Sequence, residues 1–298
     1  MRIVIAGGSG FLGSGLVSSF RTDGHGVVIL TRRPRRPGDQ AWDPALPTGD
    51  WVSAVDGADA VINLAGEPLD AGRWTKERKG AILESRVAAT RALVAAIAKA
   101  VHPPAVLINA SAVGVYGAHA SEPLTEAAPP GSDFLASVCV AWEAQAVKAS
   151  RTSRVVMLRT GLVLDGHGGA LPKLALPFHF FAGGRVGSGE QYWSWIHRDD
   201  WTRMVRWALD TQTVSGPLNL TAPHPVTNRE FARTLAKVLN RPALAPAPAF
   251  ALRLMLGEMA DALILSGQKV LPEKAVERGF EFRYSDLEPA LRAIYGGP

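Results

Sequence analysis

The chain has 298 residues, of which 47% are hydrophobic and 20% are charged, and its formal net charge is +5. This composition predicts a large buried core and excludes a globally disordered protein. Outside residues 32–36 the basic residues are interspersed with acidic ones, so a nucleic-acid-binding surface is not expected. The single cysteine, Cys139, excludes an intramolecular disulfide and fits a reducing compartment.

The sequence favours a cytoplasmic location. A strand begins directly after Met1, which leaves no room for the charged and apolar regions of a signal peptide. No stretch of about twenty residues is free of charges and helix breakers, as a transmembrane helix would require. We therefore expect a protein without a membrane partner.

The first strand and the turn after it predict a dinucleotide site. Residues 2–6 form a short apolar run, and glycines follow at positions 7, 10 and 13. At a strand-to-helix turn, glycines let backbone N–H groups and a helix N-terminus approach a pyrophosphate, because no Cβ intervenes. A tight turn without a ligand is the alternative. The predicted contacts are Gly7, Ser9, Gly10, Phe11, Leu12 and Gly13.

The second strand, residues 26–30, indicates which dinucleotide is bound. It ends in Thr31, Arg32 and Arg33, near the position where NAD-binding domains carry an acid for the adenosine ribose. A carboxylate would repel a 2′-phosphate, whereas an arginine binds it through charge-assisted hydrogen bonds. These residues therefore predict NADP(H). The alternative is a solvated basic loop, which is the preferred interpretation for the arginines at 35–36.

Strands and helices alternate through the first half of the chain, which predicts an α/β fold with a Rossmann-type, doubly wound parallel sheet. Further strands are predicted at residues 60–65, 105–111, 154–164 and 218–220. Long helices are predicted at residues 81–100 and 134–149. Asp199 or Asp200 is expected to cap another helix after His197.

These elements predict how the chain is divided. Residues 1–164 form an NADP-binding domain that is completed by about residues 193–222. Residues 165–192 are rich in glycine, proline and aromatic side chains and are expected to form a loop region on the substrate side. Residues 223–298 are expected to form a smaller, mainly helical C-terminal cap.

Four segments, residues 7–13, 63–66, 111–117 and 195–200, resemble the extended short-chain dehydrogenase/reductase (SDR) superfamily of sugar-nucleotide epimerases and dehydratases. More narrowly, the chain is similar to a branch of epimerase family proteins, or nucleoside-diphosphate-sugar epimerases, that carry a C-terminal domain of unknown function. The segments typical of that branch are residues 63–68, 73–75, 85–86, 142–143, 187–191, 219–223, 227–231 and 268–272.

The chain departs from the superfamily at its catalytic pair. The resemblance implies a Tyr-x-x-x-Lys pair in which the lysine charge lowers the pKa of the tyrosine, so that the tyrosine exchanges a proton with a substrate hydroxyl. Matching Glu143 to the acid four places after that lysine puts Leu135 and Cys139 at the two positions. A leucine has no proton to exchange, and a thiol brings no positive charge.

Ser111 and Tyr116 are the remaining catalytic candidates. Ser111 matches the superfamily's strand-end serine and can hydrogen-bond a substrate carbonyl or the nicotinamide amide. A hydroxyl satisfied by the backbone is an equally good interpretation. Tyr116 is the nearest phenol and can act as a surrogate acid, although a packing role is favoured. Cys139 as a nucleophile would need a paired base, so a buried, unreactive thiol is favoured.

The resemblance also implies further cofactor contacts. Arg86 can bind the cofactor phosphates or replace the missing lysine charge, with a salt bridge to Glu67 as the alternative. Glu67 can contact the ribose or act as a base, or it can cap a helix. The implied set is Leu64, Ala65, Gly66, Glu67, Arg86 and Val163. The seven histidines show no metal-ligand spacing, so no metal site is predicted.

Two functions remain open at this point. One is an NADP-dependent epimerase or oxidoreductase that acts on a small or nucleotide-linked hydroxyl or carbonyl compound. The other is a non-catalytic NADPH-binding regulatory protein, since some members of the branch carry a cell-division label. The expected partner is a small-molecule substrate, and the sequence leaves a homodimer open.

Overall fold

The computed structural model describes residues 1–46, 48–119 and 121–296. The strands are β1 (Arg2–Ala6), β2 (Gly26–Thr31), β3 (Gln40–Ala41), β4 (Ala60–Asn63), β5 (Val106–Ala112), β6 (Pro123–Leu124), β7 (Arg154–Thr160), β8 (Leu162–Leu164), β9 (Tyr192–Trp193), β10 (Trp195–His197), β11 (Gly216–Leu220), β12 (Val226–Thr227) and β13 (Lys269–Val270). The α-helices are α1 (Phe11–Thr22), α2 (Val52–Val55), α3 (Lys76–Lys99), α4 (Phe134–Ala146), α5 (Leu171–His179), α6 (Arg198–Asp210), α7 (Asn228–Leu239), α8 (Ala249–Leu256), α9 (Glu258–Ala260), α10 (Glu273–Glu277) and α11 (Leu287–Tyr295).

The central element is a seven-stranded parallel sheet in the order β11-β7-β5-β4-β1-β2-β3. Along β1, Ile3 and Ile5 face one apolar core, and Val4 and Ala6 face another. Because side chains alternate along a strand, this pattern requires both faces of the sheet to be covered. The predicted α/β, Rossmann-type fold is confirmed.

The first half of the chain follows the predicted elements with small shifts. The helix predicted at 81–100 begins earlier, at Lys76, because the Thr75 side chain accepts a hydrogen bond from the Arg78 N–H and caps it. The strand predicted at 154–164 is two strands. They separate at Gly161, where a Cβ would collide with the Ser194 carbonyl, and β8 leaves the main sheet to pair with β10.

Two local predictions were wrong. Residues 165–192, expected to form a loop region, contain α5, whose buried face is formed by Leu171, Ala175 and Phe178. The cap of α6 is His197, whose Nδ1 accepts from the Asp199 N–H at 3.1 Å, and not an aspartate. Burial lowers the pKa of His197, which favours the neutral ring that this acceptor role needs.

The C-terminal region packs against the sheet, and its helices α7 and α11 share a further apolar core with α5. Its attachment includes Asp200, which is fully buried and accepts hydrogen bonds from the backbone N–H groups of Arg283 and Tyr284 at 2.9 and 2.8 Å. No helix in the described part of the chain is long and apolar enough to cross a membrane.

Candidate coenzyme site

The glycine-rich turn after β1 is held in a conformation that only glycine adopts without strain. Gly7 has φ +78°, and a Cβ there would lie 2.7 Å from the Leu64 carbonyl carbon. A Cβ on Gly13 would lie 2.7 Å from Gly8 Cα and closer still to the Gly7 oxygen. The turn can therefore press against both α1 and the chain after β4 only because these positions lack side chains.

The first turn of α1 has no side-chain cap and is held in place by a distant arginine. Its capping residue is Gly10, which has no side chain to accept the first N–H groups of the helix. Arg198 donates from Nη2 to the Phe11 carbonyl at 3.0 Å and from Nη1 to Asp165 at 2.8 Å. Its hydrogen bond and charge help to hold the pKa of Asp165 below the usual range. Sequence analysis did not assign this positioning role to Arg198.

The turn after β4, residues 64–67, is held by two neighbouring residues of α3. Ser85 Oγ accepts a hydrogen bond from the Glu67 N–H at 3.1 Å, and Arg86 Nη1 donates to the Glu67 carbonyl at 3.1 Å. A Cβ on Gly66 would lie 3.2 Å from the Arg86 side chain. Arg86 thus fixes the backbone of this turn and does not pair with the Glu67 carboxylate. Burial lowers its pKa.

Glu67 lies between two arginines, Arg32 after β2 and Arg78 on α3. Arg32 Nη1 lies 3.5 Å from Glu67 Oε1, and Arg78 Nη1 lies 3.5 Å from Oε2. The Arg32 side chain is 80% exposed, so this weak ion pair leaves it able to bind another anion. Thr31 Oγ1 accepts from the Arg33 N–H at 3.3 Å and shapes the loop in which these arginines lie.

Ser111, at the end of β5, belongs to a buried polar network. Its Oγ donates to Glu143 Oε1 at 2.6 Å. Arg159 holds the same carboxylate with two hydrogen bonds, from Nε to Oε1 and from Nη2 to Oε2, both at 2.9 Å. The Ser111 proton is therefore directed at a carboxylate whose charge is already balanced, while its oxygen can still accept a hydrogen bond.

Tyr116 is fully buried at the other end of this network. Its hydroxyl donates to Asn219 Oδ1 at 2.7 Å and accepts from Arg159 Nη1 at 2.9 Å. Burial raises the pKa of the phenol. These contacts favour the packing role for Tyr116 over that of a surrogate acid.

The comparisons with known proteins agree with this geometry. Residues 3–220 match the NAD dependent epimerase/dehydratase family, and residues 247–294 match a domain of unknown function, DUF1731. The chain belongs to the NAD dependent epimerase/dehydratase family.

Its relatives cover nearly the whole chain. It is 42% identical to epimerase family protein YfhF of Bacillus subtilis over 305 residues, covering 99% of this chain and 98% of that protein. It is 41% identical to the chloroplastic epimerase family protein SDR39U1 homolog of Arabidopsis thaliana over 302 residues, covering 99% and 86% of the two chains. The crystal structure of human epimerase family protein SDR39U1 with NADPH has a TM-score of 0.91 and 33% identity, with 99% of each chain covered.

The two positions that the resemblance matches to the Tyr/Lys pair hold a leucine and a buried thiol. Leu135 lies beside Gly114, and a Cβ added to Gly114 would be 3.4 Å from the Leu135 Cβ. Cys139 is only 4% exposed and packs with Val115 and Tyr116. Burial raises the pKa of its thiol to about 11. Cys139 is therefore a buried thiol and not an activated nucleophile.

A second buried network was not identified from the sequence. Asn63, the last residue of β4, and Asn109, in the middle of β5, are register partners, and Asn63 Nδ2 donates to Asn109 Oδ1 at 2.7 Å. Thr90 Oγ1 accepts from Asn63 Nδ2 and from Trp142 Nε1, each at 2.9 Å. The network ties α3 and α4 to β4 and β5. An asparagine within each of two apolar strands was the available signal.

The predicted residues are thus distributed over three neighbouring places. The glycine turn, residues 64–67, Arg86 and the arginines after β2 lie at the carboxyl edge of β1, β2 and β4. Ser111 and Tyr116 share the Arg159 network. Val163 lies in β8, buried against the core and paired with Ile196. Among residues 1–46, 48–119 and 121–296, no three His, Cys, Asp or Glu side chains are grouped so as to hold a metal ion.

The raised pKa of Cys139 makes a pH-dependent prediction. At pH 8 about one thiol in a thousand is ionised when the pKa is about 11. We expect the folded protein to resist iodoacetamide at pH 8 and the urea-unfolded protein to react with one equivalent. Because only the unfolded state ionises between about pH 9 and 11, Cys139→Ala should weaken the fall in the free energy of unfolding over that range. Rapid modification of the folded protein would contradict this assignment.

Proposed function

We propose that this protein binds NADP(H) at the carboxyl edge of the sheet and exchanges hydride with a small or nucleotide-linked hydroxyl or carbonyl compound. The observation that carries the proposal is the pairing of the Gly7–Gly13 turn with Arg32 at the end of β2. The NADPH in the crystal structure of the human relative supports the same cofactor.

The pyrophosphate would lie against the first turn of α1. There the helix N-terminus carries positive potential, and Gly10 offers no side-chain acceptor to the first N–H groups of the helix. Arg198 prevents this turn from moving away by holding the Phe11 carbonyl. The neighbouring turn is fixed by Ser85 and Arg86 through the Glu67 peptide, so the walls on both sides are preorganised.

The 2′-phosphate would lie at the end of β2. Arg32 can exchange its 3.5 Å pair with Glu67 for shorter, charge-assisted bonds to phosphate, while Arg78 keeps the Glu67 charge balanced. Arg33 is exposed on the same loop and adds positive potential. This arrangement favours NADPH over NADH.

Arg32→Gln tests the preference directly. The variant should bind NADPH at least about tenfold more weakly, since a charge-assisted phosphate contact is lost, and should bind NADH with nearly unchanged affinity. Isothermal titration calorimetry with both dinucleotides would measure this. Arg36→Gln is the matched control, because Arg36 lies in the same loop beyond Pro34 and should be neutral. An equal loss for both dinucleotides would contradict the assignment.

The glycine turn predicts opposite outcomes for two Gly→Ala changes. At Gly10 a Cβ meets only the Gly7 oxygen, at 3.3 Å, and otherwise points into open space. Gly10→Ala should therefore fold with a free energy of unfolding within about 1 kcal/mol of wild type but bind NADPH at least about tenfold more weakly. Gly13→Ala should destabilise the fold by about 2 kcal/mol or more, because its Cβ overlaps the Gly7–Gly8 backbone. Urea unfolding and NADPH titration separate the two effects, and an unchanged Gly10→Ala affinity would contradict close approach of the pyrophosphate.

In this reaction the residues of the chain orient the substrate and hold a proton in place, and the coenzyme carries the hydride. When bound, NADP(H) supplies or accepts a hydride at its nicotinamide ring. Ser111 stands at the end of β5 with its proton held by Glu143, and its oxygen can orient a substrate hydroxyl. Arg159 fixes the Glu143 carboxylate with two hydrogen bonds, so the Ser111 proton stays directed toward it. In this proposal Ser111 is the catalytic residue, and Glu143 and Arg159 are positioning residues.

A second candidate function, NADPH-dependent regulation without turnover, is favoured by a specific observation. The positions of the usual proton-transfer pair hold Leu135 and a buried thiol. The Ser111 network also continues beyond the site, through Arg159, Tyr116 and Asn219, whose Nδ2 donates to the Leu271 carbonyl at 2.9 Å. A change at the end of β5 can thereby reach the C-terminal region.

One experiment separates the two functions. Protein would be mixed either with NADPH deuterated at the nicotinamide C4 and small carbonyl compounds, or with NADP⁺ and nucleotide sugars deuterated at their carbinol carbons. Deuterium transfer between coenzyme and substrate would be followed by mass spectrometry. A catalyst should transfer label, and Ser111→Ala should slow the transfer by about tenfold or more without weakening NADPH binding. Ser137→Ala, an exposed hydroxyl on α4, is the control. Tight NADPH binding without any label transfer would favour the regulatory function.

A further inference from the structure

A second concave site lies in the C-terminal region, away from the residues assigned to the coenzyme. Its wall is formed by α7 and by two segments, residues 183–187 and 243–247, that run side by side. Their backbones are joined by hydrogen bonds from Ala245 N–H to the Gly183 carbonyl at 3.1 Å and from Ala247 N–H to the Arg185 carbonyl at 2.9 Å. The cavity between these elements has a volume of about 240 Å³. We call it the arginine cleft.

Three arginines, Arg185, Arg229 and Arg233, line the arginine cleft. Arg185 Nη1 donates to the Gly187 carbonyl, and Arg229 Nη2 donates to the Ser188 carbonyl at 3.1 Å. Arg229 and Arg233 lie one turn apart on α7, so their charges repel each other, and Arg185 approaches from the opposite wall. Among the described residues, Glu190 pairs with Arg229. Three cations therefore face one carboxylate, and the cleft carries excess positive charge.

The rest of the lining is apolar, which strengthens the effect of this charge. It includes Leu244, Pro246 and two alanines. A concave surface with low-dielectric walls and one sign of charge concentrates counter-ions. Among the described residues one carboxylate pairs with these three arginines, so the cleft is complementary to an anionic ligand.

Large exposed apolar side chains lie in the segments that line the arginine cleft or next to them along the chain. Leu244 is 83% exposed, and Phe180 and Phe181, just before the 183–187 segment, are 74% and 63% exposed. The Arg241 guanidinium lies over the Phe181 ring, 5.0 Å from its centre. A ligand that places an anionic group between the arginines can therefore also cover apolar surface.

We propose that the arginine cleft binds a phosphate group that carries an apolar substituent. Guanidinium groups match phosphate oxygens through paired hydrogen bonds, and three of them suit a tetrahedral anion better than a planar carboxylate. The phosphate can come from a soluble phosphorylated metabolite or from a phospholipid headgroup. The site shares no residue with the proposed NADP(H) site and does not depend on it.

The first test uses inorganic pyrophosphate as the probe, titrated by calorimetry at constant ionic strength. Wild-type protein should bind it, and Arg233→Gln should bind it at least about tenfold more weakly. Arg233 is exposed on the middle of α7, so the variant should keep the wild-type melting temperature. Arg91→Gln on α3 is the control for loss of one exposed charge. Gly10→Ala controls for binding at the coenzyme site, where a pyrophosphate would lie against the first turn of α1, and this variant should keep pyrophosphate bound in the cleft.

The second test distinguishes a phospholipid headgroup from a soluble phosphorylated metabolite as the source of the phosphate. Protein would be sedimented with vesicles of phosphatidylcholine alone and of phosphatidylcholine mixed with phosphatidylglycerol. Sedimentation only with the mixed vesicles, lost in both Arg233→Gln and Phe181→Ser, would identify a headgroup. Pyrophosphate binding without sedimentation would identify a soluble ligand. The proposal is overturned if wild-type protein binds neither probe, or if Arg233→Gln leaves the binding of both unchanged.

Discussion

The close approach of two backbone turns is the constraint on which the coenzyme site depends. Gly7 follows β1, Leu64 follows β4, and the two strands are parallel neighbours in register from Ile3 to Ala6. Their turns must therefore meet at the same edge of the sheet, and a side chain on Gly7 would overlap the Leu64 backbone. Everything that faces the edge is placed relative to this contact. Ser85 and Arg86 secure one turn, and Arg198 secures the other.

The buried ion pair between Glu143 and Arg159 organises the part of the edge where the usual proton-transfer pair is missing. Both side chains are about one-tenth exposed, so removing their charges from water is costly. The cost is offset because each oxygen and most of the guanidinium nitrogens have partners, including Ser111 and Tyr116. Burial opposes the charge of Arg159, but its hydrogen bonds to Glu143 outweigh burial and raise the pKa of Arg159, so it stays a cation. A hydrogen-bonded network of this kind fixes side-chain positions. The Tyr116 oxygen already accepts from Arg159, whereas the Ser111 oxygen can still accept a hydrogen bond.

The sequence predicted the sheet and the glycine turn well because both rest on local patterns. Continuous apolar runs identify strands covered on both faces, and the spacing of Gly7, Gly10 and Gly13 is readable without knowing distant contacts. Helix α5 was missed because Pro172 and Pro177 hide a stripe of three buried residues. The cap of α6 was misassigned because aspartate is the commoner N-cap, whereas Asp200 is held by N–H groups more than eighty residues away. Long-range partners of this kind leave no local pattern, which is also why the roles of Arg198, Thr90 and Arg159 became visible only in the structure.

The C-terminal region is joined to the sheet by buried polar contacts as well as by apolar packing. Asn219 in β11 donates to the Leu271 carbonyl, and Thr221 donates to the Val270 carbonyl at 3.3 Å. Asp200, at the start of α6, accepts from two N–H groups of the C-terminal region. A relative motion of the two parts would leave these buried groups without partners, and each such loss costs about 1–3 kcal/mol. The part that matches the epimerase/dehydratase family, residues 3–220, and the part that matches DUF1731, residues 247–294, therefore share one hydrogen-bonded framework. Asn219 also accepts a hydrogen bond from Tyr116, so the framework extends through Arg159 and Glu143 to Ser111. Because these side chains are buried and bonded to one another, a shift at one end of the network has to be accommodated along it.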